Sequence, residues 1–329
     1  MGFPVNATAT FFPKLRVDFW SNYQIEETQV DARLDKVMAK IGSTMASEMF
    51  GYAQAAPVAR YWEEGEAIPS DEFITNLFPQ RSWKFGVGVE ISQTSIEDDQ
   101  TKMIMSRVME SAVSFAMLRE RHFYWLLTGG TTVDAIQMQP VLPNAPDGSA
   151  WFATTDGAGN NRFGVSGGNI QPTSGVGTPQ AIINDMINGM ARMASFLNQE
   201  NQPYFNPGDV QREIAIFFNS ANFLNFKAAT SQMFVVAASG NAAPTNIAID
   251  ADLKVVSVPN PRITNNNWAI CATTAKTKAP FWLERVAPKE VVAEPGNSDK
   301  AREWDVFKLY VRSRGAIGLN LPTAWVGVQ

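Results

Sequence analysis

"FGVGVEISQTSIEDDQTKM", from Phe85 to Met103, changes its pattern in the middle. Its first half alternates apolar residues with glycine or a charged residue, which is typical of a strand with one apolar face. Its second half carries three consecutive acids, Glu97, Asp98 and Asp99, just before a long apolar-patterned stretch. The sequence therefore predicts a strand that leads directly into a helix.

The predicted helix is long. From about Asp98 to Leu127 the chain has no Gly and no Pro, and the run stops at Gly129 and Gly130, a suitable helix end. Apolar residues recur at helical spacing at Ile104, Met105, Val108, Met109, Ala112, Phe115, Ala116, Phe123 and Leu126. About 30 residues at ~1.5 Å each predict a rod of roughly 45 Å, far longer than an average helix.

The acids at the start of this rod have two interpretations. A metal or acid–base site would need His, Cys or further carboxylates converging on them. The interpretation we favour is helix initiation, because Thr94 with Glu97, and Ser95 with Asp98, have the spacing of a capping box. Acids in a first turn also offset the helix dipole by ~0.3–1 kcal/mol each.

The composition limits the classes of function. A net charge of −5 argues against tight nucleic-acid binding, which normally needs a basic domain, and leaves only weak contact with DNA open. Charged residues make up 18% of the chain, below the ~25% that is usual, and such chains often hide part of their surface in an assembly. No apolar run is long enough to span a membrane.

Candidate catalytic residues are few. His122 is the only histidine, and beside charged neighbours it is expected to be a packing or surface residue. Cys271 is the only cysteine, so no intramolecular disulfide can form, and its apolar strand context predicts a buried, inert thiol. No phosphate-binding loop, dinucleotide fingerprint or nucleophile elbow is present.

Residues 51–93 read as a long two-stranded excursion. The strand from Trp83 to Ile91 forms its returning side, and Tyr61 and Trp62 could begin the partner strand. Such an excursion is marginal by itself in water, so it needs another surface to lie on. Its polar middle is either a solvated turn or an intersubunit contact, and the candidate contact residues are Trp62, Glu63, Glu64, Glu66, Trp83 and Lys84.

The remaining segments alternate in type. A helix is predicted from Val30 to Met49, and short strands and turns over 129–178, with "SGGNIQPTSGVG" (166–177) as a flexible connection. A second helix begins at Thr178 and Pro179, an N-cap and N1 pair. Strands are predicted at "EIAIFFN", "LKVVSVP", "WAICATTA", "FWLERVA" and "WDVFKLYVRSRGAIGLNL", with a short helix at "SANFLNFKAAT".

These segments together resemble a known family. "FGVGVEISQTSIEDDQTKM" with its long helix, "DGSAWFATTDG" and the closing "WDVFKLYVRSRGAIGLNLPTAWVG" resemble Mu-like phage major head subunits, which have the Hong Kong 97-type capsid fold. The resemblance implies an α+β chain with an N-terminal arm, an extended loop, a long spine helix on a peripheral sheet, and an axial domain. It places the arm at 1–50, the loop at 51–93, the peripheral domain at 94–178 and 256–329, and the axial domain at 179–255.

The resemblance also implies a function without catalysis or cofactors. The chain would self-assemble into pentamers and hexamers of an icosahedral shell around double-stranded DNA, contacted weakly and non-specifically. Its other partners would be scaffolding, portal and decoration proteins. It would be located in the virion after assembly in the cytoplasm of a bacterial host, with no membrane contact.

Two other functions remain open at this stage. An encapsulin-like nanocompartment shell would have the same fold and would enclose a cargo enzyme instead of DNA. An unrelated enzyme would need a catalytic constellation, and one histidine and one cysteine leave little from which to build it.

Overall fold

The computed structural model describes residues 5–45, 47–53, 75–92, 103–130, 138–198, 201–204, 213–231, 253–275, 277–293 and 306–329. Within them the helices are α1 (Val5–Leu34), α2 (Met103–Ala116), α3 (Leu118–Leu127), α4 (Pro179–Ala194) and α5 (Phe223–Ser231). The strands are β1 (Ala39–Gly42), β2 (Ser47–Ala53), β3 (Thr75–Arg81), β4 (Trp83–Ser92), β5 (Ile170–Gln171), β6 (Glu213–Asn219), β7 (Lys254–Asn260), β8 (Trp268–Ala272), β9 (Pro280–Ala293), β10 (Val306–Leu319) and β11 (Trp325–Val328).

The first sheet has the order β1-β9-β10-β4. The alternating strand predicted from Trp83 to Ile91 is confirmed as β4, whose exposed residues alternate with buried or half-buried ones. Its partner differs from the prediction, because β4 pairs antiparallel with β10 from Ser92–Val306 to Trp83–Gly315. The strand that returns from the excursion is β3, which pairs with β2. Tyr61 and Trp62, the predicted start of a partner strand, lie outside the described residues.

The predicted long rod is helical, but it is divided into two helices. It consists of α2 and α3, with Met117 between them at ψ 0°, so the predicted uninterrupted helix is wrong at this residue. Hydrogen bonds cross the break, from Met117 N to Val113 O and from Arg121 N to Met117 O, both at 3.0 Å. At ~1.5 Å per residue the described rod is about 37 Å long. It ends as predicted at Gly129 and Gly130, both at positive φ.

Helix α1 was missed, and the predicted helix from Val30 to Met49 is wrong beyond Leu34. The helical spacing of Val37, Met38 and Ile41 is overridden because β1 pairs parallel with β9. The signal for α1 was present further upstream. Its buried side chains, which follow repeats of four and seven residues, are Leu15, Phe19, Tyr23, Val30 and Leu34.

Helix α1 covers one face of the first sheet together with α2. A core of buried side chains from α1, β4, α2 and β10 forms between them, and it includes Phe19, Val108 and Val311. Ion pairs and hydrogen bonds with carboxylates hold α1 in place. Near its middle, Arg16 and the indole N–H of Trp20 donate to Glu290 of β9. Near its end, Arg33 donates to Glu120 at 2.7 Å, and Arg119 donates to Asp31.

The second sheet has the order β5-β11-β8-β6-β7 and contains a larger core with helices α4 and α5. The predicted start of α4 is confirmed, because Thr178 accepts a hydrogen bond from Ala181 N. Gly189 permits α4 to approach the sheet closely, since a Cβ there would lie 2.5 Å from Ile270 Cδ1. This sheet draws strands from both sides of the predicted domain boundary at 255/256. The family resemblance placed that boundary, whereas strand pairing joins distant parts of the chain.

The turn-rich segment after α3 is organised around a buried cation. Arg162 is 1% exposed and donates to Asp147 Oδ2 at 2.7 Å, to the carbonyls of Ala150 and Trp151 at 2.8 Å, and to Asn169 Oδ1 at 3.1 Å. Because its donors have oxygen partners, the charge can be tolerated in the interior.

The predicted flexible connection at 166–177 is instead fixed to the body. Asn169 is fully buried, and β5 pairs with β11. The buried carboxylate of Asp185 accepts hydrogen bonds from Ser174 N and Ser174 Oγ, both at 2.7 Å, and from Thr173 Oγ1 at 3.1 Å. Glycine and proline content predicted a loop correctly but could not reveal these distant partners.

Replacing the buried cation should destabilise the fold. We expect Arg162→Met to lower the free energy of unfolding by ~3–5 kcal/mol, because Asp147 would lose its charged partner. Arg162→Lys should recover little, since a lysine cannot reproduce the guanidinium fork. Urea unfolding of the unassembled subunit measures both variants. Arg107→Met, at an exposed position on α2, is the control and should change the free energy of unfolding by less than ~0.5 kcal/mol. Wild-type stability of Arg162→Lys would contradict this account.

Candidate assembly surface

The described base of the β2–β3 hairpin is attached to the first sheet. Phe50 of β2 and Phe78 of β3 pack against Phe281 of β9, with ring centroids 4.9 and 6.5 Å from it. The side chain of Gln80 donates to the carbonyl of Ile317 in β10 at 3.2 Å. Met49, also on β2, leaves 58% of its surface exposed. The base of the hairpin is therefore held by aromatic and hydrogen-bonded contacts.

A chain of buried polar groups joins this base to the helical rod. Gln139 acts as a strand partner for Ile317: its Oε1 accepts from Ile317 N at 3.0 Å and its Nε2 donates to Ile317 O at 3.1 Å. The N–H of Gln139 donates to Nε2 of His122 at 3.2 Å, and Nδ1 of His122 lies 2.8 Å from the carbonyl of Leu118. Gln80, Ile317, Gln139 and His122 thus form one continuous hydrogen-bonded series.

His122 is neutral in this setting. Nε2 accepts a hydrogen bond, so the ring proton is on Nδ1 and is donated to Leu118 O. Burial lowers the pKa of His122 to about 4, with a further contribution from the charge of Arg121. The prediction that His122 is a packing or surface residue is confirmed as packing, because the ring is fully buried against Phe85 and Trp282.

Two of the predicted site residues are described. Lys84 lies exposed on β4, and Trp83 is half-buried with the Arg81 guanidinium 4.8 Å above its ring centroid. The structure thus places Lys84 in the sheet and not on the excursion. The other predicted residues, for the helix start and for the loop contact, lie outside the described residues: Thr94, Ser95, Glu97, Asp98, Trp62, Glu63, Glu64 and Glu66.

The remaining candidate catalytic residue, Cys271, lies in the core. Cys271 is buried in β8, and burial raises the pKa of its thiol well above the ordinary value, as expected for an inert cysteine. In the described ranges, no group of three His, Cys, Asp or Glu side chains is arranged to hold a metal ion. No helix of that part of the chain is both long and apolar enough to cross a bilayer.

Sequence reasoning missed Gln80 and Gln139, the residues that connect the hairpin base to the rod. Neither belongs to a motif, and each acts through one distant backbone group of Ile317. It also missed the cations of the exposed sheet face, Lys289, Arg312 and Arg314. Their alternation along β9 and β10 was visible in the sequence, but their proximity to Lys84 depends on the register between strands.

The architecture has counterparts among solved structures. It is similar to the capsid structure of the Cyanophage P-SCSP1u, with a TM-score of 0.53, 11% identity, and coverage of 89% of this chain and 86% of that chain. The bacteriophage PhiM1 mature capsid gives a TM-score of 0.54 at 7% identity, covering 89% and 85%. The chain has the Hong Kong 97-type capsid fold.

A third similar structure, from Mycobacterium phage Adephagia, has a TM-score of 0.52, 13% identity, and coverage of 89% of this chain and 87% of that chain. Comparisons with protein-family models and with curated proteins found no match. The predicted α+β capsid fold is therefore confirmed by shape, at sequence identities low enough that the likeness concerns the fold.

The buried histidine should make the stability of the capsid fold depend on pH. The unfolded chain binds a proton on His122 near the ordinary pKa of 6.5, and the folded chain binds it only near 4. As pH falls between these values the unfolded state binds more protons, so the free energy of unfolding should drop by roughly 3 kcal/mol. Urea unfolding of the unassembled subunit across this range measures the drop.

His122→Gln is the control for this effect. The chain has no other histidine, so the variant should have little pH dependence between about 6.5 and 5, where ordinary carboxylates are already ionised. Equal slopes for the variant and the unchanged protein would show that His122 is not the group responsible.

Proposed function

We propose that this chain is the major capsid subunit of a tailed double-stranded DNA bacteriophage or prophage, and that it assembles into pentamers and hexamers of an icosahedral shell. The observation that supports this most is the capsid fold, which extends over 89% of the chain and over 85% or more of the phage capsid neighbours described above. A match over nearly the whole of both chains supports a structural role for this chain.

The parts of the fold suggest roles in such a shell. We assign residues 1–46 to an N-terminal arm, the β2–β3 hairpin with its intervening residues to the extended loop, and α2 with α3 to the spine; the arm ends before the predicted residue 50 because β2 begins at Ser47. We end the loop at Arg81 and not at residue 93, since β4 belongs to the first sheet. The first sheet would then form the peripheral domain. The second sheet, with α4 and α5, would form the axial domain around the capsomer axis.

The proposal extends to partners and location. The subunit would act in the virion as a structural protein and not as an enzyme, after assembly in the bacterial host cytoplasm. Scaffolding, portal and decoration proteins would be its other partners, and packaged DNA would be contacted weakly, in keeping with the net charge of −5.

Assembly is the first test. Expressed alone and with the phage's scaffolding protein, the chain should sediment as capsomers or shells and appear as closed particles in negative-stain micrographs. Particles containing DNA support a phage capsid, whereas particles enclosing a cargo enzyme would favour the nanocompartment alternative. A strictly monomeric protein at high concentration with scaffold present would overturn the proposal.

The acidic segment of the excursion provides the second test. If Glu63, Glu64 and Glu66 contact a neighbouring subunit, replacing all three with Lys should block assembly while the unfolding temperature of the isolated subunit stays within ~2 °C. Replacing them with Gln should give an intermediate loss. Sedimentation velocity measures assembly, and thermal unfolding followed by circular dichroism measures the fold. Full assembly of the Lys variant would remove this segment from the proposed contact.

A further inference from the structure

The first sheet has one short edge and one long edge. β1 forms the short edge with four residues, whereas β4 forms the other with ten, Trp83–Ser92. At ~3.3 Å per residue, the β4 edge is about 33 Å long. In the part of the chain that the structure describes, residues 83–91 make backbone hydrogen bonds to β10 and to no other segment. An unpaired strand edge of this length is a template for another strand.

β4 lacks the features that normally keep a strand edge from pairing. Over its ten residues it contains no proline, and its register with β10 is continuous, without a bulge. Its charged side chains are Lys84 and Glu90, which have opposite signs and lie towards opposite ends of the strand. Like charges would repel a second strand of the same sequence. Opposite charges leave that pairing open.

The sequence of β4 is self-complementary when two copies are aligned antiparallel. In "WKFGVGVEI", from Trp83 to Ile91, the residue types are arranged symmetrically about Val87. With Val87 opposite Val87, Lys84 of each copy lies directly opposite Glu90 of the other copy, on the exposed face of the sheet. Directly opposed charges of opposite sign stabilise an antiparallel pair. The other opposed residues also match in type: Trp83 with Ile91, Phe85 with Val89, and Gly86 with Gly88.

The charges select this register over its neighbours. Moving the second strand by two residues in either direction would place Lys84 opposite Gly88 or Ser92. Moving it by one residue would turn its apolar side chains to the exposed face. The alignment about Val87 therefore satisfies both the charges and the faces of the strand.

Both charges would gain from a second copy. Lys84 lies directly opposite Arg314 within its own sheet, and like charges in this arrangement are destabilising. Glu90 accepts from Lys308 at 2.7 Å, while its side chain remains 54% exposed. The second copy would place its Glu90 beside Lys84, on the side away from Arg314. The excess of positive charge at this end of β4 would then be reduced.

The helix side of the same edge has room for the side chains of a second strand. A cleft of about 550 Å³ lies between β4 and the helical rod. The apolar side chains that line it are Trp83, Phe85, Val87, Phe115, Leu118 and Met138. In the register about Val87, the apolar side chains of the second copy lie on this side of the sheet. Their burial beside the cleft would add to the backbone hydrogen bonds of the pairing.

We propose that β4 pairs antiparallel with β4 of a second copy of this chain, about Val87, and joins the two four-stranded sheets into one continuous sheet. The inference rests on the proposed function in that a shell needs contacts between copies. It adds a two-fold contact in which both copies use the same strand. A second copy is favoured over an unrelated strand because the sequence complementary to β4 is its own.

Mixing two charge variants tests the pairing. Lys84→Glu alone and Glu90→Lys alone should each raise the dissociation constant of the dimer by about tenfold or more, since each variant opposes two pairs of like charges. An equal mixture of the two variants should recover association to within about threefold of the unchanged chain, because every opposed pair again has opposite signs. Sedimentation velocity of dilute subunit without scaffold measures the dimer. A mixture that associates no better than its components would overturn the pairing.

Lys289→Glu is the control for Lys84→Glu. It makes the same change of charge at an exposed position of the same sheet, but on β9, away from the edge. Its dimer dissociation constant should stay within about twofold of that of the unchanged chain. Equal weakening by both variants would assign the effect to net charge and overturn the proposal. The unfolding temperature of Lys84→Glu should not fall, because the variant removes the like-charge pair with Arg314.

A disulfide across the two-fold axis tests the register. Val87→Cys should form an intermolecular disulfide on mild oxidation, because directly opposed residues have Cα atoms ~4.5–5.5 Å apart. Val89→Cys should not, since its counterpart in the second copy would lie four residues along the strand, at least ~13 Å away. The native Cys271 is buried and should not compete. Linkage through position 89 but not 87 would overturn the register, and no linkage in either variant would overturn the contact.

The shell and the dimer can fail separately. If Lys84→Glu assembles into shells as well as the unchanged chain does, the proposed function stands and the β4 contact is wrong. If the unchanged chain dimerises through position 87 but never forms particles with scaffold present, the contact stands and the proposed function is wrong.

Discussion

The structure depends on one side chain, Gln139, which binds both the N–H and the carbonyl of Ile317 as a neighbouring strand would. This contact fixes the segment after the helical rod to the central strand β10. The backbone N–H of Gln139 donates a hydrogen bond to Nε2 of His122. The carbonyl of Ile317 also accepts a hydrogen bond from Gln80 at the base of the hairpin. Since all these groups are buried, each would cost free energy if left without a partner. The rod, the sheet and the hairpin therefore keep one relative arrangement.

Much of the fold could be predicted from the sequence, and the limits have a physical cause. Local patterns were sufficient for β4, for the end of the rod at Gly129 and for the cap at Thr178, because each depends on residues a few positions apart. The hairpin partner of β3, the placement of β1 beside β9 and the composition of the second sheet depend on pairing between distant segments. Propensity cannot specify such pairing, and the helical spacing after Leu34 was overridden by it.

The candidate site also combines features that local sequence can indicate with features that depend on distant segments. The order of elements in the sequence raised the hypothesis that the acidic segment between β2 and β3 is an intersubunit contact, which remains a prediction. The grouping of Lys84, Lys289 and Arg312 on the first sheet could not be predicted, because these residues are far apart in the chain and become neighbours only through the register of three strands. The polar residues that support the hairpin base were equally invisible, since a single glutamine has no periodicity. The role of buried Arg162 was not predicted either, because a single arginine has no periodicity. It nevertheless organises the segment between the rod and α4.

The cations that alternate onto the exposed face of the first sheet, Lys84, Lys289, Arg312 and Arg314, also bear on the symmetry of an assembly of identical copies. Two identical faces rich in lysine and arginine repel each other, so a two-fold dimer that joins face to face is disfavoured. A contact through this face must then use a different surface of the next copy, which gives each subunit a donor side and an acceptor side. Such directional contacts repeat with a constant rotation, and a rotation that divides evenly into a full circle closes a ring. Repulsion between these identical faces would thus favour a cyclic arrangement over face-to-face pairing.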